Sequence, residues 1–414
     1  MSETGPSVRR IRRLALLGGI VAGLSLLLAL KGAGDANRLV GASDREEART
    51  VSDVVLQALV QDAQVRRDQR SDSDPSYTKR VDAELNEERI NVLFYGYGES
   101  HEPPLNERVI IGSVTIASID TRDTRLNDVA LVSLTHDIRA PEIERYLRKK
   151  GDYDGYPVKI DKAYPVGGFA LMRETLEDAT GLAIDFQVAF ADTIIARLVD
   201  DVIAPIEVEV PADFEANPFY IDGMKFPARR FSRGTQSMDG VTVIQYIKTV
   251  PSVEGGGYYG RELEHNARKH LVFRALGSAL EDRDGGPGLI LAILRVLIEG
   301  ERDGLLSFDF EAEELLIGHI GLVPGMAQAA LGNQRTTLPQ ISHAIYIVDS
   351  AHGDGGVQWV TASESPMIKS ELALGRYPDQ AVEVPLNPNP YGDLVTEYWG
   401  SVRSLVKKSL LARP

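Results

Sequence analysis

An uncharged apolar run of 17 residues, from Leu14 to Leu30, constrains the architecture of this 414-residue chain more than any other segment. About 17–25 apolar residues are needed to cross a bilayer as a helix, so the run is long enough for one membrane span. Four arginines between positions 9 and 13 precede it, and cationic flanks normally stay on the cytoplasmic side. We therefore expect a single-pass protein of the cell membrane, with a cytoplasmic N-terminus and an extracytoplasmic main domain.

A cleaved signal peptide is the competing interpretation of the same segment. Such peptides carry a similar basic region before an apolar stretch of about 7–15 residues and end in a small-residue cleavage site. No A-x-A sequence follows Leu30 closely, which favours an uncleaved anchor. Both interpretations place most of the chain outside the cytoplasm.

Composition limits the classes of protein that the remaining chain can form. Apolar residues make up 43% of the sequence, enough for a substantial core, so a long disordered protein is excluded. The absence of cysteine excludes a disulfide framework, a thiolate metal site and a cysteine nucleophile. The formal charge of −15 disfavours a general nucleic-acid binder, so we expect no nucleic acid among the partners.

Strands and helices follow one another through the rest of the chain, which predicts an α/β (mixed α+β) fold with a central mixed sheet flanked by helices and preceded by the single transmembrane helix. The predicted strands are Ile90–Tyr95, Val109–Ile119, Val129–Leu134, Asp185–Ala191, Ile206–Val210 and Ala344–Val348. The predicted helices are Gly168–Ala179, Thr193–Asp201, Arg261–Leu280, Leu289–Leu297 and one around Leu394–Leu411. The pattern at Val241–Val250 fits either element, and Gly96-Tyr97-Gly98 is interpreted as a turn that ends the first strand.

Four parts of the chain can be separated by composition. They are a tail with the anchor (1–31), a linker with a stalk helix (32–87), the main α/β domain (88–321) and a C-terminal extension or small subdomain (322–414). The stalk helix is indicated by apolar residues at helical spacing, namely Val51, Val55, Leu59 and Ala63. The polar stretch 66–80 is predicted to be a linker or loop.

The helix that begins at Arg261 is predicted to carry a cationic stripe. Arg261, His265 and Arg268 are spaced i, i+4 and i+7 and so share one face, while apolar residues lie on another. The glycine-rich stretch 255–260 precedes them and would let a large substrate approach. Cations in this arrangement suit an anionic ligand such as a diphosphate. A solvated charged face, paired with neighbouring glutamates, is the alternative.

A second candidate site follows the strand that ends at Leu134. Strand ends hold side chains rigidly, so Asp137 could hold a divalent cation and Arg139 a phosphate. An ordinary turn is the alternative for this segment. The seven histidines are scattered and no H-E-x-x-H motif occurs, which leaves a secreted hydrolase with a histidine-centred site as a minor alternative.

Five segments, taken in order, resemble the LytR–CpsA–Psr (LCP) family of membrane-anchored cell-wall glycopolymer phosphotransferases. They are INVLFYGYGES, VALVSLTHDIR, KIDKAYPVGGFALMRETLEDATGLAIDFQVAF, GTQSMDGVTVIQYIK and GRELEHNARKHLVFRAL. The resemblance runs from about Ile90 to Leu280. The resemblance implies a short cytoplasmic tail, one span and a mixed α/β domain. It also implies that a glycopolymer phosphate is transferred from a polyprenyl-diphosphate carrier to a cell-wall acceptor, usually peptidoglycan.

The same resemblance implies roles for individual residues. Catalytic roles would belong to Asp137, His136 and Arg261. Binding of the phosphates or the lipid head group would belong to Arg108, Arg139, Lys159, Lys248, His265, Asn266 and Arg268. Mg²⁺ is the implied cofactor, with Asp137 as the best candidate ligand, although Gly112 stands where the family has a metal-binding aspartate.

Several of these positions depart from the family pattern. His136 and Lys248 stand where the family has arginines, and His265-Asn266 stands where it has Arg-Gln. Lysine and histidine cannot reproduce the bidentate fork of arginine. The alternative function is therefore a catalytically degenerate envelope protein of the same fold that serves as a binding or scaffold protein.

Overall fold

The computed structural model describes residues 60–98, 110–122, 129–134, 140–155, 158–203, 205–216, 218–221, 224–249, 341–347 and 399–411, together with parts of 268–309. The predicted membrane span at 14–30 lies outside these residues. Among the residues that are described, no helix combines the length and the apolar character needed to cross a bilayer.

A six-stranded mixed sheet forms the centre of the described structure. The strands among the described residues are β1 (Arg89–Gly98), β2 (Ile110–Asp120), β3 (Val129–Leu134), β4 (Phe186–Ala191), β5 (Ile206–Val210), β6 (Phe214–Ala216), β7 (Phe219–Ile221), β8 (Met224–Phe226), β9 (Arg229–Phe231), β10 (Gly234–Met238), β11 (Leu306–Phe308) and β12 (Ile341–Ile347). The central sheet has the order β11-β4-β1-β2-β3-β12, and β5–β10 form three two-stranded sheets beside it.

Strand directions in the central sheet determine where its loops meet. β2 is antiparallel to both β1 and β3, whereas β4 runs parallel to β1 and β12 runs parallel to β3. The strands β1, β3, β4 and β12 therefore point the same way and end at one side of the sheet, where β2 begins. We call this side the carboxyl edge.

Helices pack on both faces of the sheet. They are α1 (60–73), α2 (Tyr77–Arg80), α3 (Ala83–Asn86), α4 (Pro141–Lys150), α5 (Ala163–Thr180), α6 (Asp192–Arg197), α7 (Gly240–Lys248) and α8 (Gly400–Leu411), and the described residues within 268–279 and 292–302 are helical too. A 3₁₀ turn, Ile160–Lys162, leads into α5, and a π-helical turn, Leu198–Ile203, continues α6. The end of α4 illustrates the local chemistry, since Gly151 adopts φ 81° there and basic residues fill the last turn.

Two large apolar clusters of described residues hold these layers together. The first combines alternate residues of β1, β2 and β3 with α4, α5 and α8, and includes Leu93, Val132, Met172 and Trp399. The second surrounds α6, α7, β5 and the helical residues that begin at Arg268. The predicted mixed sheet flanked by helices is thus confirmed for the described residues, and Val241–Val250 is resolved as helical over most of its length.

One prediction for the first strand was wrong. Gly96, Tyr97 and Gly98 do not form a turn, because β1 continues through them and pairs with the start of β2. The register shifts at this point, where Gly96 faces Ser113 and Tyr97 faces Ile111, so that Gly112 is the extra residue of a β-bulge. The glycines here allow a bulge within the strands and do not end β1.

The prediction of a loop at 66–80 was also wrong. Residues up to 73 belong to α1, which docks on the domain through charged side chains instead of an apolar stripe. Arg67 Nη2 lies 2.6 Å from Asp185 Oδ2, and Arg70 Nη1 lies 2.5 Å from Glu177 Oε1. Both acids are buried. These contacts join residues more than 100 positions apart. The polar local sequence therefore wrongly indicated a loop.

Described residues of the C-terminal portion pack on the main domain. β12 adds the sixth strand next to β3, and α8 places Val402, Val406 and Leu410 in the first apolar cluster. Arg403 Nη1 donates to the carbonyl oxygens of Glu177 and Asp178 in the last turn of α5. The domain boundaries proposed from composition stay predictions, but these segments contribute to the same core.

Candidate functional site

An ion pair lies at the carboxyl edge between β1 and β4. Ala191, the last residue of β4, pairs with Tyr97 of β1, and Asp192 follows as the first residue of α6. Asp192 Oδ2 lies 2.9 Å from Nζ of Lys248, and each side chain is about one-fifth exposed (19% and 20%). A methyl group on Gly96 would stand 3.5 Å from Asp192 Oδ1, so the carboxylate lies beside β1.

The helix α7 carries Lys248 and is fixed firmly at its start. Asp239 caps the helix by accepting a 2.8 Å hydrogen bond from the Thr242 N–H, and this interaction with Thr242 lowers the pKa of Asp239. Asp200 accepts a 2.7 Å hydrogen bond from the N–H of Gly240. A side chain at Gly240 would overlap the carbonyl oxygen of Ala196, so only glycine lets α7 approach α6 this closely.

The other end of α7 is held by Arg268. Its Nε donates to the carbonyl oxygen of Tyr246 at 2.9 Å, and its Nη2 donates to that of Thr249. The guanidinium carbon lies 5.1 Å from the ring centroid of Phe214, within the range of a cation–π contact. Arg268 therefore satisfies carbonyl groups at the helix end that carries Lys248.

The buried position of Arg268 corrects part of the sequence interpretation. Spacing predicted an exposed cationic stripe, but Arg268 is fully buried, together with Leu271 and Val272. Helical spacing identifies residues on one face and does not show whether that face meets solvent. Phosphate binding by Arg268 stays a prediction, while the contacts of its guanidinium give it a structural role.

Lys159 lies in a different segment, before the 3₁₀ turn that leads into α5. Its carbonyl oxygen accepts the N–H of Lys162 at 3.0 Å. The start of α5 packs on the end of β1, since Tyr164 and Phe169 contact Tyr95 with ring centroids 5.1 and 5.9 Å apart. The structure thus brings Lys248 and Arg268 together at the end of α7, and it places Lys159 in the segment before α5.

The remaining predicted site residues lie outside the described residues. They are Arg108, His136, Asp137, Arg139, Arg261, His265 and Asn266. Gly112 is described as part of the bulge in β2 and offers no carboxylate to a metal. In the described part of the chain, no three histidine or acidic side chains come together as metal ligands would. The predicted Mg²⁺ site is therefore not tested by the described structure.

Sequence reasoning missed Asp192, which the structure places beside Lys248. The signal was available, because Asp192 directly follows an apolar strand and strand ends commonly carry site residues. The pairing of β4 with β1, which brings together two segments about 90 residues apart, could not be predicted from the sequence. Asp200 was missed because its hydrogen bond to the N–H of Gly240 joins residues 40 positions apart. Asp239 is a local N-cap of α7, and its position three residues before Thr242 could have indicated this role from the sequence.

These features define a mixed α/β domain with charged groups gathered at the carboxyl edge of its sheet. A model of the LytR_cpsA_psr family matches residues 54–282, more than half of the chain, and the protein belongs to this family. The resemblance recognised in the sequence is thereby confirmed. No curated protein matches the chain in sequence.

Several solved structures are similar to this chain at low identity. Bacillus subtilis TagV is 17% identical, with 79% of this chain and 99% of TagV covered and a TM-score of 0.42. The protein gbs0355 from Streptococcus agalactiae is 16% identical, with coverages of 75% and 96% and a TM-score of 0.44. A structure of TagT bound to LI-WTA is 13% identical, with coverages of 70% and 92% and a TM-score of 0.38. The family assignment rests on the sequence match and not on these structures.

Proposed function

We propose that this protein binds a polyprenyl-(di)phosphate-linked glycan at the carboxyl edge of its sheet and transfers the glycan phosphate to a cell-wall acceptor. Membership of the LytR–CpsA–Psr family supports the substrate class. The observation that carries the proposal is the position of Lys248, a partly exposed cation held at this edge beside the end of β1.

Strand topology supports the participation of the predicted residues that the structure does not describe. β3 ends at Leu134 on the carboxyl edge, and His136 and Asp137 follow two and three residues later. Arg108 precedes the first residue of β2 by two positions at the same edge. Since consecutive Cα atoms are about 3.8 Å apart, the chain cannot carry the Cα atoms of these residues farther than roughly 8–12 Å from the strand ends. We infer that they join Lys248 around one ligand.

The proposed reaction is a transfer of a phosphoryl-linked glycan. A hydroxyl oxygen of the acceptor attacks the phosphorus that carries the glycan, the bond to the polyprenyl phosphate breaks, and polyprenyl monophosphate leaves. Lys248, Arg108 and Arg139 neutralise charge on the diphosphate, which is the main demand of phosphoryl transfer. Asp137 orients the acceptor hydroxyl and accepts its proton. In the alternative role, Asp137 would hold Mg²⁺, which would supply further charge neutralisation when bound, and the acceptor proton would pass to solvent.

The location of this reaction depends on the N-terminal segment. Residues 14–30 are proposed to anchor the protein in the cell membrane, with the domain on the extracytoplasmic side. Such an anchor would hold the carboxyl edge near a lipid-linked substrate. Protease protection of a C-terminal epitope in spheroplasts, compared with permeabilised cells, tests this orientation, and a protected epitope in intact spheroplasts would contradict it.

The function is tested with the full-length protein purified from membranes. Bound lipid is extracted and identified by mass spectrometry, and turnover is measured with a polyprenyl-diphosphate oligosaccharide and peptidoglycan fragments, with and without Mg²⁺. The Lys248→Ala variant should lose about tenfold to a hundredfold in binding or turnover, as expected for a charge-assisted contact. Lys407→Ala is the matched control, because Lys407 forms ion pairs with Asp82 and Glu84 away from the carboxyl edge. A wild-type protein that neither binds nor turns over the lipid would overturn the proposal.

A further inference from the structure

We propose that Asp192 is a positioning residue, which holds the ammonium group of Lys248 in the place where it meets the substrate phosphate. This inference rests on the proposed function and adds a residue that neither the motif pattern nor the family resemblance indicated. Asp192 acts through Lys248, so it is distinct from the groups that touch the substrate.

The two residues are attached to backbone segments that are each held by further contacts. Asp192 directly follows β4, whose last residue donates its N–H to the carbonyl oxygen of Leu305 at 2.8 Å. Lys248 ends α7, where Arg268 holds the neighbouring carbonyl groups of Tyr246 and Thr249. Because both backbones are held, the 2.9 Å ion pair fixes the far end of the lysine side chain.

A lysine needs such support more than an arginine would. Its ammonium group sits on a flexible four-carbon stem, whereas guanidinium is planar and forms a preorganised fork. Among the described residues, Asp192 is the group that Lys248 contacts through its ammonium. We infer that the carboxylate restricts the stem to one conformation and so compensates for the change from arginine.

The ion pair leaves the lysine available to a ligand. An ammonium group has three N–H donors, and Asp192 takes one of them. The side chain of Lys248 keeps 20% of its surface exposed, and two N–H donors of its ammonium group remain for a phosphate.

Positioning of Lys248 by Asp192 and direct binding of the substrate lead to different expectations for kcat and KM. The negative charge of Asp192 opposes an anionic substrate, while its geometry favours the transition state by keeping the cation in place. Asp192→Asn should therefore lower kcat by about tenfold or more, as misplaced catalytic groups do, with KM unchanged or lower. Asp192→Glu, which keeps the charge, should recover part of kcat.

A double-mutant cycle with Lys248→Ala tests whether the effect passes through the lysine. Asp192→Asn should lower kcat in the wild-type background and have no further effect in the Lys248→Ala background. Circular dichroism and thermal unfolding of each variant verify that it is folded. An additive loss of kcat in both backgrounds, or a rise in KM with unchanged kcat, would overturn the positioning role.

Amine labelling of the full-length protein supplies a readout that needs no substrate. An N-hydroxysuccinimide ester and peptide mass spectrometry measure the modification of Lys248, with Lys407 as the internal reference. Asp192→Asn should raise labelling of Lys248 severalfold and leave Lys407 unchanged. Equal labelling of Lys248 in both proteins would refute the inference even if the wild type were active. If the wild type showed no lipid turnover but Asp192→Asn still increased the labelling, the proposed function would be refuted and the holding role of the ion pair would stand.

Discussion

Replacement of Glu142 by glutamine should remove a large part of the pH dependence of folding. Glu142 lies at the start of α4, is buried, and accepts a 2.6 Å hydrogen bond from Nε1 of Trp399 in the C-terminal segment. Burial, with a contribution from nearby Asp178, raises the pKa of Glu142 from 4.5 to about 8. Within the described structure its second carboxylate oxygen has no hydrogen-bond partner, which is consistent with a neutral acid.

The direction of the pH effect on stability follows from the number of protons that the folded and unfolded states bind at Glu142. Between pH 4.5 and 8 the folded protein keeps the proton on Glu142, whereas the unfolded chain has lost it. The free energy of unfolding therefore falls as the pH rises through this window. The contribution is fully present below about pH 4.5 and lost above about pH 8. At about 1.4 kcal/mol per pKa unit, the loss amounts to roughly 4–5 kcal/mol.

Glutamine keeps the acceptor for Trp399 and cannot ionise. Glu142→Gln should thus resemble the wild type in stability near pH 5 and exceed it by about 4 kcal/mol near pH 8. Comparing the two proteins removes the contribution of other buried acids such as Glu177, because both proteins contain them.

Urea unfolding followed by tryptophan fluorescence measures this difference. The chain contains two tryptophans, so Trp359→Phe in both proteins assigns the signal to Trp399. Glu299→Gln is the matched control, since Glu299 lies in an i,i+4 pair with the largely exposed Arg295. The control should show the same pH profile as the wild type. A stability difference between Glu142→Gln and wild type that is equal at pH 5 and pH 8 would refute the reasoning.

Two further predictions concern the contacts that fix α7 and α1. Gly240→Ala should destabilise the protein by about 3 kcal/mol in thermal or urea unfolding, because the new methyl group meets backbone atoms of α6. The control Gly400→Ala should be tolerated, because a methyl group added there has no neighbouring atom within 4 Å. Arg67→Met should cost about 3 kcal/mol because it leaves buried Asp185 without its bidentate partner. The exposed Arg230→Ala should leave the urea midpoint unchanged, and equal losses for the Arg67 and Arg230 variants would contradict the assigned role of burial.

The central strands could be predicted from sequence because burial leaves a continuous apolar pattern. Val129–Leu134 was located to the residue, and Ile206–Val210 showed the alternation of a strand with one buried face. The antiparallel connection of β2 and β3 followed from the short segment between them. Segment order and spacing were also sufficient to recognise the family.

The errors have a common physical origin in contacts between distant residues. The docking of α1 depends on ion pairs of Arg67 and Arg70 with acids far along the chain, and ion pairs impose no periodic pattern. Arg268 lies on a helical face that packs, because Phe214 and the end of α7 cover it. The neighbour of Lys248 could not be named before β4 was paired with β1.

The position of Trp399 also limits when the protein can complete its folding relative to its synthesis. Its hydrogen bond to Glu142 spans 257 residues of sequence, and β12 joins β3 only after some 200 intervening residues have been synthesised. A core that includes α8 cannot be completed on the ribosome while this helix is still inside the exit tunnel. Folding of this domain must therefore wait until residue 411 has left the tunnel, with the apolar partners of α8 exposed until then. Chains that terminate before residue 399 should depend on chaperones and be degraded, even if they contain every residue matched by the family model.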